Sequence, residues 1–169
     1  MRSITTCSTS RPGSAGQEAA SRSAVITSSE AGGPPLRPVT VLVVDGHAAI
    51  RDALAAMLAM EPGIAVVGTA ATVGTALALI RRRRPDVTLL DLGVLERRDW
   101  TRLRNLVAAG PRAAVLVMGV VDNPAVAHTA VRHGAAGRVL KDAPADEIVT
   151  AIRRAAQGPA RLRLLPPDS

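Results

Sequence analysis

Hydrophobic residues are not spread evenly along this chain; between Val39 and Gly158 they come in two alternating textures. Five short runs, VTVLVVD, IAVVGTA, VTLLD, AAVLVM and GRVL, are almost wholly apolar and rich in β-branched residues. Runs without polar alternation suit parallel strands covered on both faces. Between and after them, apolar residues recur at helical spacing. Ile50, Leu54 and Leu58 share one such face, Val73, Leu77 and Ile80 the next, and Leu103, Leu106 and Val107 the third. Val126, Ala130 and Val131 follow, then Ile148, Ile152 and Ala155. The punctuation agrees. Asp122–Asn123–Pro124 supplies a cap and an early proline for the fourth helix, Gly110–Pro111 closes the third, and Gly134 closes the fourth. Five strand–helix units predict a doubly wound α/β domain over 39–158.

The flanks differ in composition. Residues 1–38 are rich in Ser, Thr, Gly, Ala and Pro and end in GGPPLRP, which reads as a disordered leader. Residues 159–169, PARLRLLPPDS, read as a short flexible tail, with Leu162, Leu164 and Leu165 available for docking. The start of the leader has no apolar core of a secretory signal. No apolar run reaches the ~18–20 residues of a membrane helix. These features lead to the expectation of a cytoplasmic protein without membrane association.

Composition changes the picture in three ways. The chain has no Phe or Tyr and one Trp, so its core must be filled by Val, Leu, Ile and Ala. Cys7 stands alone in the leader, which excludes a disulfide framework and a cysteine metal cluster. The net charge of +7 suggests nucleic acid, but the flanks carry six basic and three acidic residues. That leaves fifteen basic against eleven acidic groups, well mixed, in the middle. The one basic block, Arg81–Arg84, ends the second helix, where cations suit the macrodipole and a solvated face. Direct nucleic-acid binding is therefore not the leading expectation.

In open parallel sheets, ligands gather beyond the carboxyl ends of the strands. Asp45 ends the first strand, Asp91 the third and Lys141 the fifth. Lys141 is the only lysine in a chain with twenty arginines. A compact ammonium meets a phosphoryl oxygen as a point charge, which a planar guanidinium does less well at a tight site. Asp45 taken alone reads as a helix cap; with Asp91 and Lys141 it reads as part of a site. His47 reads as a polar group at a helix start, His128 and His133 as surface groups, and Trp100 as a locally packed residue opening the third helix.

These residues resemble the receiver domain of bacterial response regulators, in the branch that usually carries a LuxR-type helix-turn-helix. VLVVDGHAAIRDALAAML is similar to the family's opening strand and helix, usually V-D-D-H. RPDVTLLDL is similar to the phosphoacceptor strand, and HGAAGRVLKDAPADEIVTAIRRAAQG to the closing block with its lysine. The resemblance implies a flavodoxin-like five-stranded sheet of order 2-1-3-4-5. It implies phosphoryl transfer from a histidine kinase to Asp91, with Lys141 as the cation facing the phosphoryl group. It also implies Mg²⁺ held by Asp45, Asp91, a second acid after the first strand, and the backbone carbonyl of Gly93. The surface of helix four, strand five and helix five, which changes shape on phosphorylation, is where two copies would pair.

The chain departs from that pattern at four places. Gly46 stands where the second acid belongs, which should leave Mg²⁺ weakly held or absent. Gly119 stands where a hydroxyl senses phosphate, and Arg138 where an aromatic residue reads it out. The loop GVLERRDW lacks the usual proline and glycine; Glu96 in it is an alternative ligand, but a loop glutamate reads first as a solvated residue. The expectation is an atypical, non-enzymatic receiver in two-component phosphorelay signalling. Its phosphorylation switch is impaired and it acts through protein contacts, in transcription control among other roles. Two alternatives stand beside it: a regulator still phosphorylated at Asp91 with Mg²⁺, and a basic protein that binds DNA non-specifically. With only a short tail after Gly158, no helix-turn-helix output domain is expected in this chain.

Overall fold

The computed structural model describes residues 37–96, 99–119 and 123–158. The leader to residue 36, the tail from residue 159, and Asp122 of the expected helix cap lie outside the described residues. The strands are β1 (Val39–Val44), β2 (Ile64–Ala70), β3 (Val87–Asp91), β4 (Ala114–Gly119) and β5 (Gly137–Leu140). The helices are α1 (Ala48–Ala59), α2 (Val73–Arg83), α3 (Trp100–Ala109), α4 (Pro124–Arg132) and α5 (Ala145–Ala156), with a 3-10 turn at Leu92–Val94. All strand pairs are parallel and the order is β2-β1-β3-β4-β5, the expected flavodoxin-like sheet.

Alternate residues of the unbroken apolar runs feed two cores, one on each face of the sheet. Leu42, Val44 and Leu90 pack with Ala76 and Ile80 of α2 and with Leu103 and Leu106 of α3. Val41, Val43 and Leu89 pack with Leu54 and Leu58 of α1 and with Ile148 and Ile152 of α5. Burying each large aliphatic side chain contributes about 1.5–3 kcal/mol, so aliphatic layers alone suffice without aromatic filling.

The helix ends follow the local chemistry. Asn123 caps α4 by accepting from the backbone N–H groups of Ala125 and Val126, and Pro124 follows at the first helical position. After α4, Gly134 adopts φ +98°, and a Cβ there would stand 3.1 Å from Val107 Cγ1. Arg81, Arg82 and Arg83 occupy the last turn of α2, where cations oppose the negative end of the helix dipole.

Two helical positions depart from the expected inward face. Ile50 and Val131 remain 38% and 52% exposed. Ile50 lies along a cleft of about 430 Å³ beside Ala53, Met57, Ala145 and Ile148, with Lys141 at its edge. Helical periodicity identifies an apolar stripe; it does not say whether its margin meets the sheet or a groove. His133 also differs from a plain surface group: its ring stacks on Trp100, centroids 5.6 Å apart and planes within 6°. The single tryptophan thus packs across the α3–α4 interface.

At the opposite edge from the strand-end charges, Asp86 ties the starts of β1 and β3 together. Its carboxylate accepts from both Nη atoms of Arg37 at 2.8 Å, and from Thr40 N at 2.9 Å and Oγ1 at 2.7 Å. The Arg37 hydrogen bond, opposed by burial and reinforced by the two Thr40 bonds, lowers the Asp86 pKa from 3.8 to about 2. A depressed carboxylate stabilises the fold above its unfolded pKa and loses that contribution as pH falls through the folded value. Asp86→Asn is therefore expected to cost on the order of 1 kcal/mol at neutral pH, since Arg37 is largely solvated. Urea titrations of the two proteins should converge as pH falls from about 4 to about 2; a difference that persists at the acid end would refute the assignment.

Candidate functional site

The carboxyl edge of the sheet brings together the three charges expected there. β1 delivers Asp45, which is wholly buried, and β3 delivers Asp91, which is 5% exposed. Past the end of β5, Lys141 donates its backbone N–H to the Gly119 carbonyl, which seats it beside β4. Its Nζ then lies 2.6 Å from Asp45 Oδ2 and 3.0 Å from Asp91 Oδ2. One ammonium bridges two carboxylates. Burial alone would lower the Lys141 pKa, but the hydrogen bonds and charges of Asp45 and Asp91 outweigh it, and the net shift is upward.

The other carboxylate oxygens are held by backbone. Asp45 Oδ1 accepts the His47 N–H at 2.8 Å, and Asp91 Oδ1 accepts the Gly93 N–H at 3.0 Å. Gly93 permits this close turn: a Cβ there would come within 2.8 Å of Asp91 Oδ2. Arg51, not singled out in the sequence, donates to the Asp45 carbonyl at 2.9 Å and clamps α1 onto the strand end. Only its position one turn into the helix that follows Asp45 hinted at this.

The departures occupy definite places. Gly46 is exposed, and a Cβ built there meets only Val94 Cγ2, at 4.0 Å. Gly119 ends β4, and Arg138 is an exposed residue of β5 paired in register with Val117. Glu96 is turned toward Arg102, with Oε2 3.2 Å from Nη2, and its side chain is 74% exposed. Glu96 is thus exposed and ion-paired, in keeping with a solvated loop glutamate.

Mg²⁺ is commonly held by one or two carboxylates plus waters. Asp45 and Asp91 meet that minimum, and Gly46 adds nothing, so the residues fit a weakly held ion. A donor atom from each of Asp45, His47 and Asp91 lies within 4.8 Å of the others.

A doubly wound parallel sheet with two acids and a lysine converging at its carboxyl edge defines the receiver class of signalling domain. The response regulator receiver domain family matches residues 41–153, and the chain belongs to that family. Its relatives include the transcriptional regulatory proteins DegU of Brevibacillus brevis and MctR of Rhizobium johnstonii. The first is 30% identical over 72% of this chain and 52% of its own length; the second is 34% identical over 71% and 56%. The chain thus spans about half the length of these curated relatives. The receiver domain of the response regulator NarL from Mycobacterium tuberculosis superposes with a TM-score of 0.66 at 33% identity, covering 72% of this chain and 98% of that one. Residues 41–153 form a receiver domain of two-component signal transduction, of the kind found in LuxR-family regulators. Among the described residues, no helix is long and apolar enough to cross a membrane.

Proposed function

We propose that this receiver works with an impaired or absent phosphorylation switch and transmits its signal through protein contacts. The observation that carries this reading is the pairing of Gly46 and Gly119 at the two positions where the family places a metal-binding acid and a phosphate-sensing hydroxyl. Neither residue has a side chain. The first removes a carboxylate that would help hold Mg²⁺, and the second removes the group that would register the phosphoryl group's arrival. Arg138 in place of the aromatic readout removes the next link. The apolar cleft beside Ile50 and Met57 offers accessible surface for a histidine kinase or another signalling protein. Receiver domains are generally not enzymes, and we read this one in the same way.

The geometry of Asp91 favours one second reading, in which the carboxylate still accepts a phosphoryl group. An Asp91 oxygen would attack phosphorus, the donor's P–N or P–O bond would break, and an acyl phosphate would form. Lys141 Nζ, 3.0 Å from Asp91 Oδ2, stands ready to meet a phosphoryl oxygen. Mg²⁺, when bound, neutralises charge on the transferring group.

Incubation with a small phosphodonor and Mg²⁺, read by intact mass, separates the two. The expected result is no stoichiometric gain under conditions that fully modify an ordinary receiver. A gain of one phosphoryl group, lost in Asp91→Asn, would sink the impaired-switch reading. Retention on duplex DNA at low salt with a steep salt dependence would instead support the basic-protein alternative.

A further inference from the structure

We infer that Asp45, His47 and Asp91 form a mixed imidazole–carboxylate cation site that takes a borderline divalent ion such as Zn²⁺ or Co²⁺ in preference to Mg²⁺. The inference shares the pocket with the proposed function, resting on the reading that this pocket holds a cation, but it does not depend on phosphoryl transfer.

Three observations support it. First, His47 Nδ1 lies 3.5 Å from Asp45 Oδ1, and one donor from each of the three residues falls within 4.8 Å of the others. Bonds of about 2.0–2.2 Å to a common ion place neighbouring ligands about 3.0–3.5 Å apart, so modest side-chain rotation closes the set. Second, His47 occupies the N-cap position of α1, yet its imidazole makes no capping hydrogen bond. The Asp45 carboxylate takes the His47 backbone N–H instead. The ring is directed at the acid pair without serving the helix. Third, Asp45 Oδ2 is buried and taken by the Lys141 ammonium at 2.6 Å, so Oδ1 is the Asp45 oxygen beside the imidazole. That contact draws Lys141 to the Oδ2 side of Asp45, leaving Oδ1 and the imidazole on the other.

The choice of ion follows from the donors. Mg²⁺ demands oxygen ligands in near-ideal octahedral geometry and gives up its waters reluctantly. Gly46 leaves the all-oxygen set short by one acid, whereas His47 supplies a nitrogen, which suits Zn²⁺, Co²⁺ and Ni²⁺. The open space around Gly46, where only Val94 comes within 4.0 Å of a built Cβ, leaves room for water to complete a shell. Charge balance agrees: two carboxylates against one ammonium leave a net negative pocket.

Metal-stripped full-length protein should be titrated with Zn²⁺, Co²⁺ and Mg²⁺ by calorimetry, with the Co²⁺ absorption bands reporting nitrogen coordination. Nitrogen-containing sites favour Zn²⁺ over Mg²⁺ generally, so the decisive comparison is His47→Ala. That variant should weaken Zn²⁺ and Co²⁺ binding at least about tenfold, alter the Co²⁺ spectrum and leave Mg²⁺ binding unchanged. His47 is 74% exposed at its side chain, so the variant should fold, as circular dichroism will verify. His128→Ala should leave binding unaltered. Unchanged Zn²⁺ affinity in His47→Ala, or equal losses for Zn²⁺ and Mg²⁺, would overturn the inference. Because phosphorylation is read separately by mass, failure of either reading is seen independently of the other.

Discussion

Lys141→Met is expected to destabilise the domain by about 3–5 kcal/mol at neutral pH, the cost of removing one partner from a buried ion pair. The Lys141 Nζ lies within 3.0 Å of an oxygen from each of two acids, so both sit around one point. With the ammonium gone, two carboxylates face each other at the closed edge of the sheet, with little water to screen them. Methionine preserves most of the stem's apolar packing, so the loss reports charge. Neutralising one acid as well should recover much of it: Lys141→Met with Asp45→Asn is expected to be more stable than Lys141→Met alone. Urea unfolding of the single and double variants measures the coupling directly. The pH dependence gives an independent check. Although burial lowers the Lys141 pKa, its carboxylate partners raise it further, to above 10.5. A raised lysine contributes its full stability below the unfolded pKa and loses it as pH rises through the folded one. The wild type should therefore lose stability in that alkaline window relative to Lys141→Met. Parallel alkaline curves, or a Lys141→Met variant as stable as the wild type, would show that the lysine merely occupies space.

That lysine was legible in the sequence because a lone Lys among twenty arginines followed a short apolar run. Asp45 and Asp91 were legible for the same reason, each closing a run of strand residues, and parallel topology then brings strand ends together without further information. The five elements of each kind emerged because the runs differ so clearly in periodicity. Contacts that depend on side-chain direction could not be read this way. Arg37 falls within a polar segment by composition, and nothing local announces its bidentate pairing with Asp86 across 49 residues. Arg51 resembles any solvated helix arginine until α1 is placed against the Asp45 carbonyl. His47 sits at a helix start in both readings, but only the backbone turn after Asp45 aims its ring at the acids. Glu96 is a simpler case: a loop glutamate is more often solvated than a ligand, and its side chain lies exposed beside Arg102.

Gly46→Asp is expected to tighten Mg²⁺ binding by about 10–100-fold, since cation affinity at oxygen sites follows the number of charged ligands. The backbone accepts the change: Gly46 is exposed, and the added Cβ stands in open space with Val94 Cγ2 4.0 Å away. The third acid has a cost in the metal-free protein. It adds negative charge beside Asp45 and Asp91, and the single Lys141 ammonium already serves both. Thermal unfolding in chelator should therefore fall below wild type, while unfolding in millimolar Mg²⁺ should rise above it, by mass action on the folded state. This crossing of the two curves is a stronger test than affinity alone, because a general stabilising or destabilising effect would move both in one direction. The repaired protein should also accept a phosphoryl group on Asp91 more readily, but conformational readout is a different matter. Gly119 still has no hydroxyl to draw toward the phosphate, and position 138 still carries arginine. Gly46→Asp is thus expected to become modified without the shift at α4, β5 and α5 that an ordinary receiver undergoes, and Gly119→Thr would be needed in addition. Unaltered Mg²⁺ affinity in Gly46→Asp would place the obstruction in the segment after Asp91, where Val94 and Leu95 pack into the core beside the acid, instead of in the missing carboxylate.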